Sequence, residues 1–390
     1  MSRFLFVVPP LAGHVNPTVG LGRALQRRGH EVAWAGSELI LRPLLGEAAT
    51  VFPTGSRVLR DQGEGGLAAV RTLWKEFIVP YARFTKKALN EAAAKFEPDV
   101  IVADEHTPAG AFTAHRHGIR WATMATSSME INRPYRQLPQ VEAWMTGHLR
   151  ALWNAAGLPE DEYLDPRFSP FLVLAQTSRA LTGEGADFPE HYALVGPILA
   201  ERPEQLPFPW ERLDPQRLCV LVTMGTLAAD VAEGFYRRAV DALRPLDGRL
   251  QAVVVAPPEA LPADLPEHVI AAPRVPMLDL LGRGAVHAVV CHAGMNTVCE
   301  ALAHRLPLVL APIRHDQPVT AGQVAAAGAG VRVRFSRVGP QSLRRAIESV
   351  LDDPSYRAAA GRIADRFAAD GGARTAADRL EALAGALSTF

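Results

Sequence analysis

Residues 4–36 read FLFVVPPLAGHVNPTVGLGRALQRRGHEVAWAG, which holds one complete strand–helix–strand unit. Residues 4–8 form an unbroken apolar run too short for a helix, the mark of a strand covered on both faces. From residue 15 to 28 the apolar positions Val15, Val19, Leu21 and Leu25 fall at helical spacing. Residues 32–35 return to a strand pattern. A helix between two short buried strands serves as a crossover, so the strands run parallel.

The alternation continues along the chain. Buried strands are expected at 51–53, 100–103, 121–125, 171–175 and 193–195. A long helix is expected at 67–95, bent or broken at Pro80, and another at 108–117, ended by Gly118. Residues 126–170 break the rhythm and carry Met129, Tyr135, Trp144, Met145, Trp153 and Phe168. They read either as helices packed on the first sheet or as an apolar wall for a ligand. Residues 196–216 contain five prolines and read as a stiff linker. A second series follows, with strands at 218–223, 250–255, 269–271, 286–290, 307–310 and 331–334. The fold class is therefore α/β, with two Rossmann-like parallel-sheet domains facing across a cleft. The expected division is 1–200, a linker at 201–216, 217–374, and a C-terminal helix at 375–390. Ligands of such sheets bind beyond the carboxyl ends of the strands.

Composition narrows the function. The 390 residues are 48% hydrophobic and 21% charged, which suits a globular protein with a large core. Lys+Arg and Asp+Glu both number 41, so no global positive field exists to hold nucleic acid or an anionic membrane. The opening MSRFLFVVPP is too short for a signal-peptide core, and no run reaches the length of a membrane span. The cysteines are Cys219, Cys291 and Cys299, an odd number that argues against a disulfide scaffold and fits a reducing cytoplasm. Cys291-His292 lacks a second ligand at metal spacing, so no metal is expected.

Two loops carry chemistry. The first strand leads into Gly13-His14-Val15-Asn16-Pro17. Asn16 and Pro17 read as the cap and first turn of the next helix, which leaves His14 in the loop before it. The helix dipole there favours a neutral ring, the form a general base needs. Asp104 ends the fourth strand, a neighbour of the first at the topological switch. A carboxylate on one ring nitrogen would orient the other toward a substrate. Asp104 also reads as a plain helix cap, and Glu105 and His106 stand beside it as decoys. Gly20 and Gly22 fall inside the helix pattern rather than in the turn, which argues against a dinucleotide fingerprint.

The second loop is Cys291-His292-Ala293-Gly294-Met295-Asn296-Thr297, followed by Glu300 on a helix. Small residues and a helix N-terminus make a plausible diphosphate cradle without a Walker lysine. Asp316 and Gln317, in PIRHDQP, read as partners for vicinal sugar hydroxyls or as a helix cap. Thr223-Met224-Gly225-Thr226 is a third permissive loop at a strand end.

Together these motifs resemble the nucleotide-sugar-dependent glycosyltransferases of the GT-B fold, family 1, in their bacterial natural-product branch. The resemblance spans nearly the whole chain. It makes His14, in GHVNP, the base and Asp104 its acidic partner. It aligns TMGT, hence Thr223, Gly225 and Thr226, with the loop opening the donor domain. HAGMNTVCEAL is its most specific piece, with Gly294 and Asn296 among the donor-binding residues, His292 and Thr297 toward the diphosphate and Glu300 toward the ribose. Asp316 and Gln317 would hold the transferred sugar. Met277 stands where the family usually has a glutamine, so backbone atoms of Val275 are expected to read the base, with UDP and dTDP both open.

The implied reaction is an inverting transfer to a hydroxyl of a small hydrophobic acceptor, lined by Trp74, Phe77, Met129, Tyr135 and Trp144. Each of these five is equally a core residue on sequence grounds. The expectation is an enzyme without cofactor or metal, with a nucleotide diphosphate sugar as co-substrate. No nucleic-acid partner is expected, and a homodimer is left open. A lipid-linked sugar transferase, a nucleotide-sugar epimerase and a non-catalytic partner of a transferase are the alternatives. The last would be expected to lack His14 or the cradle.

Overall fold

The computed structural model describes residues 1–57, 64–127, 129–199, 206–225 and 232–385. Residues 200–205 of the expected linker, and 386–390 of the expected last helix, lie outside these. Seven parallel strands form the first sheet: β1 (Arg3–Val7), β2 (Glu31–Gly36), β3 (Thr50–Pro53), β4 (Val100–Asp104), β5 (Arg120–Ala125), β6 (Val173–Ala175) and β7 (Tyr192–Leu194). Their order is β3-β2-β1-β4-β5-β6-β7. Six more form the second sheet: β8 (Leu218–Thr223), β9 (Leu250–Val255), β10 (Val269–Ala272), β11 (Ala288–Cys291), β12 (Leu308–Leu310) and β13 (Gly330–Arg332), ordered β10-β9-β8-β11-β12-β13. All pairings are parallel, as the unbroken apolar runs require.

The alternation of side chains fills both faces of each sheet. Phe4, Phe6 and Val8 enter one core with Leu21, Leu25 and Trp34, while Leu5 and Val7 enter another with Trp74, Phe77 and Phe112. In the second sheet Cys219 and Leu221 face one core, Val220 and Val222 the other. Gly22 is explained by packing: a Cβ there would come within 2.4 Å of the Trp34 indole.

Of the expected bend or break at Pro80, the break does not occur, and the helix changes geometry just ahead of it. The segment runs helically from Gly66–Thr72, through a π-helical turn at Leu73–Ile78, into Val79–Phe96. Pro80 lacks an N–H and its ring crowds the carbonyl four residues back. The wider π turn just ahead of it accommodates both, so the helix continues.

Helix Pro354–Asp370 packs on the second sheet through Ala359, Ala360, Ile363 and Phe367. At Gly371 and Gly372, both with positive φ, the chain turns. Helix Gly372–Gly385 then packs on the first sheet, with Ala376, Ala377 and Leu380 in the core of Phe4 and Leu21. Arg28 clasps it through Asp378 and Glu381, each at 2.7 Å.

Candidate functional site

Both sheets present their β1- or β8-type switch point to the same cleft. In the first sheet, Val7 of β1 is in register with Ala103 of β4. The residues that follow these strands therefore emerge side by side, and His14 meets Asp104.

The helix after β1 starts earlier than the sequence suggests. It spans Ala12–Arg27, with Leu11 as N-cap and no side-chain cap. The Leu11 carbonyl accepts from the N–H groups of His14 (2.9 Å) and Val15 (3.1 Å). His14 thus sits in the first turn, not in the loop before it. Asn16 does not cap, and Pro17 lies inside the helix. The reason is visible across the cleft. Pro17 has no N–H to give the carbonyl four residues back, which is that of Gly13. That carbonyl accepts instead from Asn296 Nδ2 of the second sheet's loop, at 2.8 Å.

His14 Nδ1 lies 2.9 Å from Asp104 Oδ2 and 2.7 Å from Thr126 Oγ1. Thr126 donates its own proton to Asp104 Oδ2 at 3.2 Å. Asp104 Oδ1 accepts from the His106 N–H at 2.9 Å. One assignment satisfies this network: the ring proton is on Nδ1, shared between the carboxylate and the hydroxyl, and the Nε2 lone pair is free. Asp104 is buried, whereas the His14 side chain is 16% exposed and reaches the cleft.

The helix-dipole argument predicts a depressed His14 pKa, and the surroundings reverse it. Burial pushes the ring down, but Asp104, by charge and hydrogen bond, together with Asp316 across the cleft, outweighs it and raises the pKa. The imidazolium formed on taking a proton is therefore stabilised. His106, its ring tilted against that of His14 with centroids 4.7 Å apart, goes the other way. Burial and the neighbouring His14 charge lower it to about 3.

On the opposite wall, β11 runs into His292, Ala293 and Gly294, and helix Met295–Ala303 follows with Gly294 as its N-cap. The His292 ring is clamped between two glycines. A Cβ on Gly225 would come within 2.6 Å of it, and one on Gly294 within 2.3 Å. Burial and the charge of Arg314 lower His292 to about 4, so its ring is neutral. Its Nδ1 is buried without a protein partner among the described residues. Gly294→Ala is expected to push this ring aside, since the backbone there has no positive φ and the clash alone must be relieved. A roughly tenfold weaker Kd for a nucleoside diphosphate, against an unchanged fold by circular dichroism, is the expected calorimetric result.

The remaining donor-side residues divide. Thr223 ends β8 and Thr297 is half-buried in the first turn of its helix. Glu300 is buried one turn further on. Val275 packs its side chain in the core. Asp316 is close enough to His14 for each to feel the other's charge. Gln317 spends its Oε1 on the loop itself, accepting from the N–H groups of Ile313 (2.9 Å) and Arg314 (3.0 Å), so only its Nε2 is left for a sugar. Asn296 is engaged on both sides, giving Nδ2 to Gly13 and accepting from Gln176 Nε2 at 3.0 Å. Thr226 lies outside the described residues.

Of the expected acceptor wall, Trp74 and Phe77 are core residues, 2% and 0% exposed. Met129 is buried too, whereas Tyr135 and Trp144 are half-buried. Trp144 meets Trp74 edge-on at 6.3 Å. Sequence reasoning assigned no role to Thr126, Gln176 or Arg314. Arg314 is 2% exposed, and a buried guanidinium beside a neutral histidine is what an anion site offers.

Residues 237–383 match the model of the erythromycin biosynthesis protein CIII-like C-terminal domain. The 4'-demethylrebeccamycin synthase of Lentzea aerocolonigenes is 29% identical, over 98% of this chain and 99% of that protein. The uncharacterized UDP-glucosyltransferase YojK of Bacillus subtilis is 26% identical, over 97% of each. Among solved structures, the glycotransferase of kitacinnamycin superposes with a TM-score of 0.82 at 25% identity, covering 98% of this chain and 99% of that one. No helix among the described residues is long and apolar enough to cross a membrane.

Proposed function

We infer that this chain, a family 1 glycosyltransferase of the GT-B fold and of the natural-product type, transfers a sugar with inversion from a nucleotide diphosphate to an acceptor hydroxyl. The observation that carries the reading is the 2.9 Å contact of His14 with Asp104 at the switch point, facing the His292 loop. His14 Nε2 takes the acceptor's proton as its oxygen attacks the anomeric carbon. Asp104 and Thr126 hold the ring and stabilise its charge. The departing diphosphate gains negative charge beside the amides of the Met295–Ala303 helix start, the His292 ring, Thr297 and the buried Arg314.

Asp316 and the Nε2 of Gln317 face the sugar, Glu300 the ribose, and the Val275 backbone the base. The donor is UDP- or dTDP-linked, and the acceptor is a small hydrophobic natural product such as a phenol or polyketide, bounded by Tyr135 and Trp144. The three buried free thiols, Cys219, Cys291 and Cys299, suit the cytoplasm. Thermal-shift screening with UDP, dTDP, ADP and NAD tests the donor class. Stabilisation by UDP or dTDP alone is expected, and stabilisation by NAD alone would sink the reading.

The chemistry needs no cofactor or metal, because amides, a ring and a guanidinium meet the leaving group. Turnover in excess EDTA is expected to stay within about twofold of the untreated rate. A collapse that magnesium restores would contradict this.

A further inference from the structure

We propose that His14, Asp104 and His106 form a binding site for a borderline-soft divalent cation such as zinc, and that occupancy switches the transferase off. The inhibitory half rests on the reading of His14 as the base; the site itself does not.

One ligand atom from each of these residues lies within 4.8 Å of the other two. The donors are two imidazoles and a carboxylate, the set that zinc, copper and nickel prefer over magnesium or calcium. His14 Nδ1 and Asp104 Oδ2 are already 2.9 Å apart. Tetrahedral zinc at ~2.0–2.2 Å from each ligand sets its ligands about 3.3 Å from one another, so the three ligand atoms, now within 4.8 Å, draw together as the cation binds. The His106 Nδ1 is the second, independent sign. It is buried with no hydrogen-bond partner among the described residues, an uncommon state for a ring nitrogen. Its ring is tilted at 37° to that of His14, with centroids 4.7 Å apart, so the two imidazoles are neighbours.

A cation that touches both Asp104 and His14 must sit on the Nδ1 edge, because Nε2 lies on the far side of the ring. In the free enzyme Nδ1 carries the proton. Zinc takes the Nδ1 lone pair, and that proton moves to Nε2. No net proton is released from the neutral ring. Nε2 then has an N–H where it had a lone pair, and it cannot accept the acceptor's proton. The cation takes the proton's place in the His14–Asp104 contact, and a cleft water completes its shell. Such a site makes turnover respond to free zinc while the reaction itself uses no metal.

The test compares the parent with His106→Phe, which keeps a ring against His14 but removes the ligand. Turnover is measured at free zinc fixed by a metal buffer, each protein relative to its own zinc-free rate. Cobalt binding is read separately from the visible absorption of the tetrahedral ion. The expected result is EDTA-reversible inhibition of the parent, a four-coordinate cobalt spectrum, and at least about tenfold more zinc needed for His106→Phe. No cobalt spectrum, or equal zinc sensitivity in the two proteins, would overturn the site. A His106-dependent cobalt spectrum with turnover untouched by zinc would support the site and overturn His14 as the base.

Discussion

His14→Ala is expected to lower turnover on an aliphatic alcohol by about 10² to 10⁴, the usual contribution of a positioned general base. Nucleoside diphosphate binding should survive, because the cradle of His292, Gly294 and Thr297 is built on the other sheet. The loss should be smaller on an acidic phenol, which needs little help to shed its proton. Kinetics on both acceptors, with calorimetry on UDP and dTDP, separate the outcomes. Near-parent turnover on the aliphatic alcohol would remove the base assignment. Lost nucleotide binding would make His14 a donor-side or structural residue.

Asp104→Asn is expected to cost about 10² or more, for a reason specific to this network. Both carboxylate oxygens accept: Oδ1 from the His106 N–H, Oδ2 from His14 and Thr126. An asparagine must turn its NH₂ toward one of these sides and set donor against donor. Either the His106 turn shifts, or the His14 ring adopts the tautomer with Nε2–H and loses its basic lone pair. The pH profile distinguishes this from general damage. Asp104 is the main upward influence on His14 against burial, so removing it lowers the ring's pKa. The acidic limb of kcat/KM, where the base gains its proton, should move to lower pH even as the plateau falls. A limb that stays in place or moves to higher pH would contradict the pairing.

The strands were legible because each is covered on both faces, which leaves an apolar run such as FLFVV or LCVLVT with little alternative. The juxtaposition of His14 and Asp104 was legible for the same reason, since strand order fixes which loops meet. The start of the His14 helix was not. Pro17 imitates a first-turn proline, and its acceptance inside the helix depends on Asn296, which takes up the Gly13 carbonyl from 283 residues away. The roles of Asn296 and Gln176 were hidden likewise, as they pair across 120 residues and two sheets. Thr126 follows β5 with no local motif. Trp74 and Phe77 show the limit of residue type: the same aromatic ring suits a ligand wall or a core, and burial decided for the core.

The most direct test of single displacement by a His14-activated hydroxyl is the anomeric configuration of the product. An α-linked UDP- or dTDP-glucose is incubated with a phenolic acceptor, and the coupling constant of the product's anomeric proton is read by nuclear magnetic resonance. One attack on the face opposite the diphosphate predicts a β-linked product. An α-linked product would mean net retention, by two successive displacements or by attack on the face the diphosphate leaves, and would contradict the account.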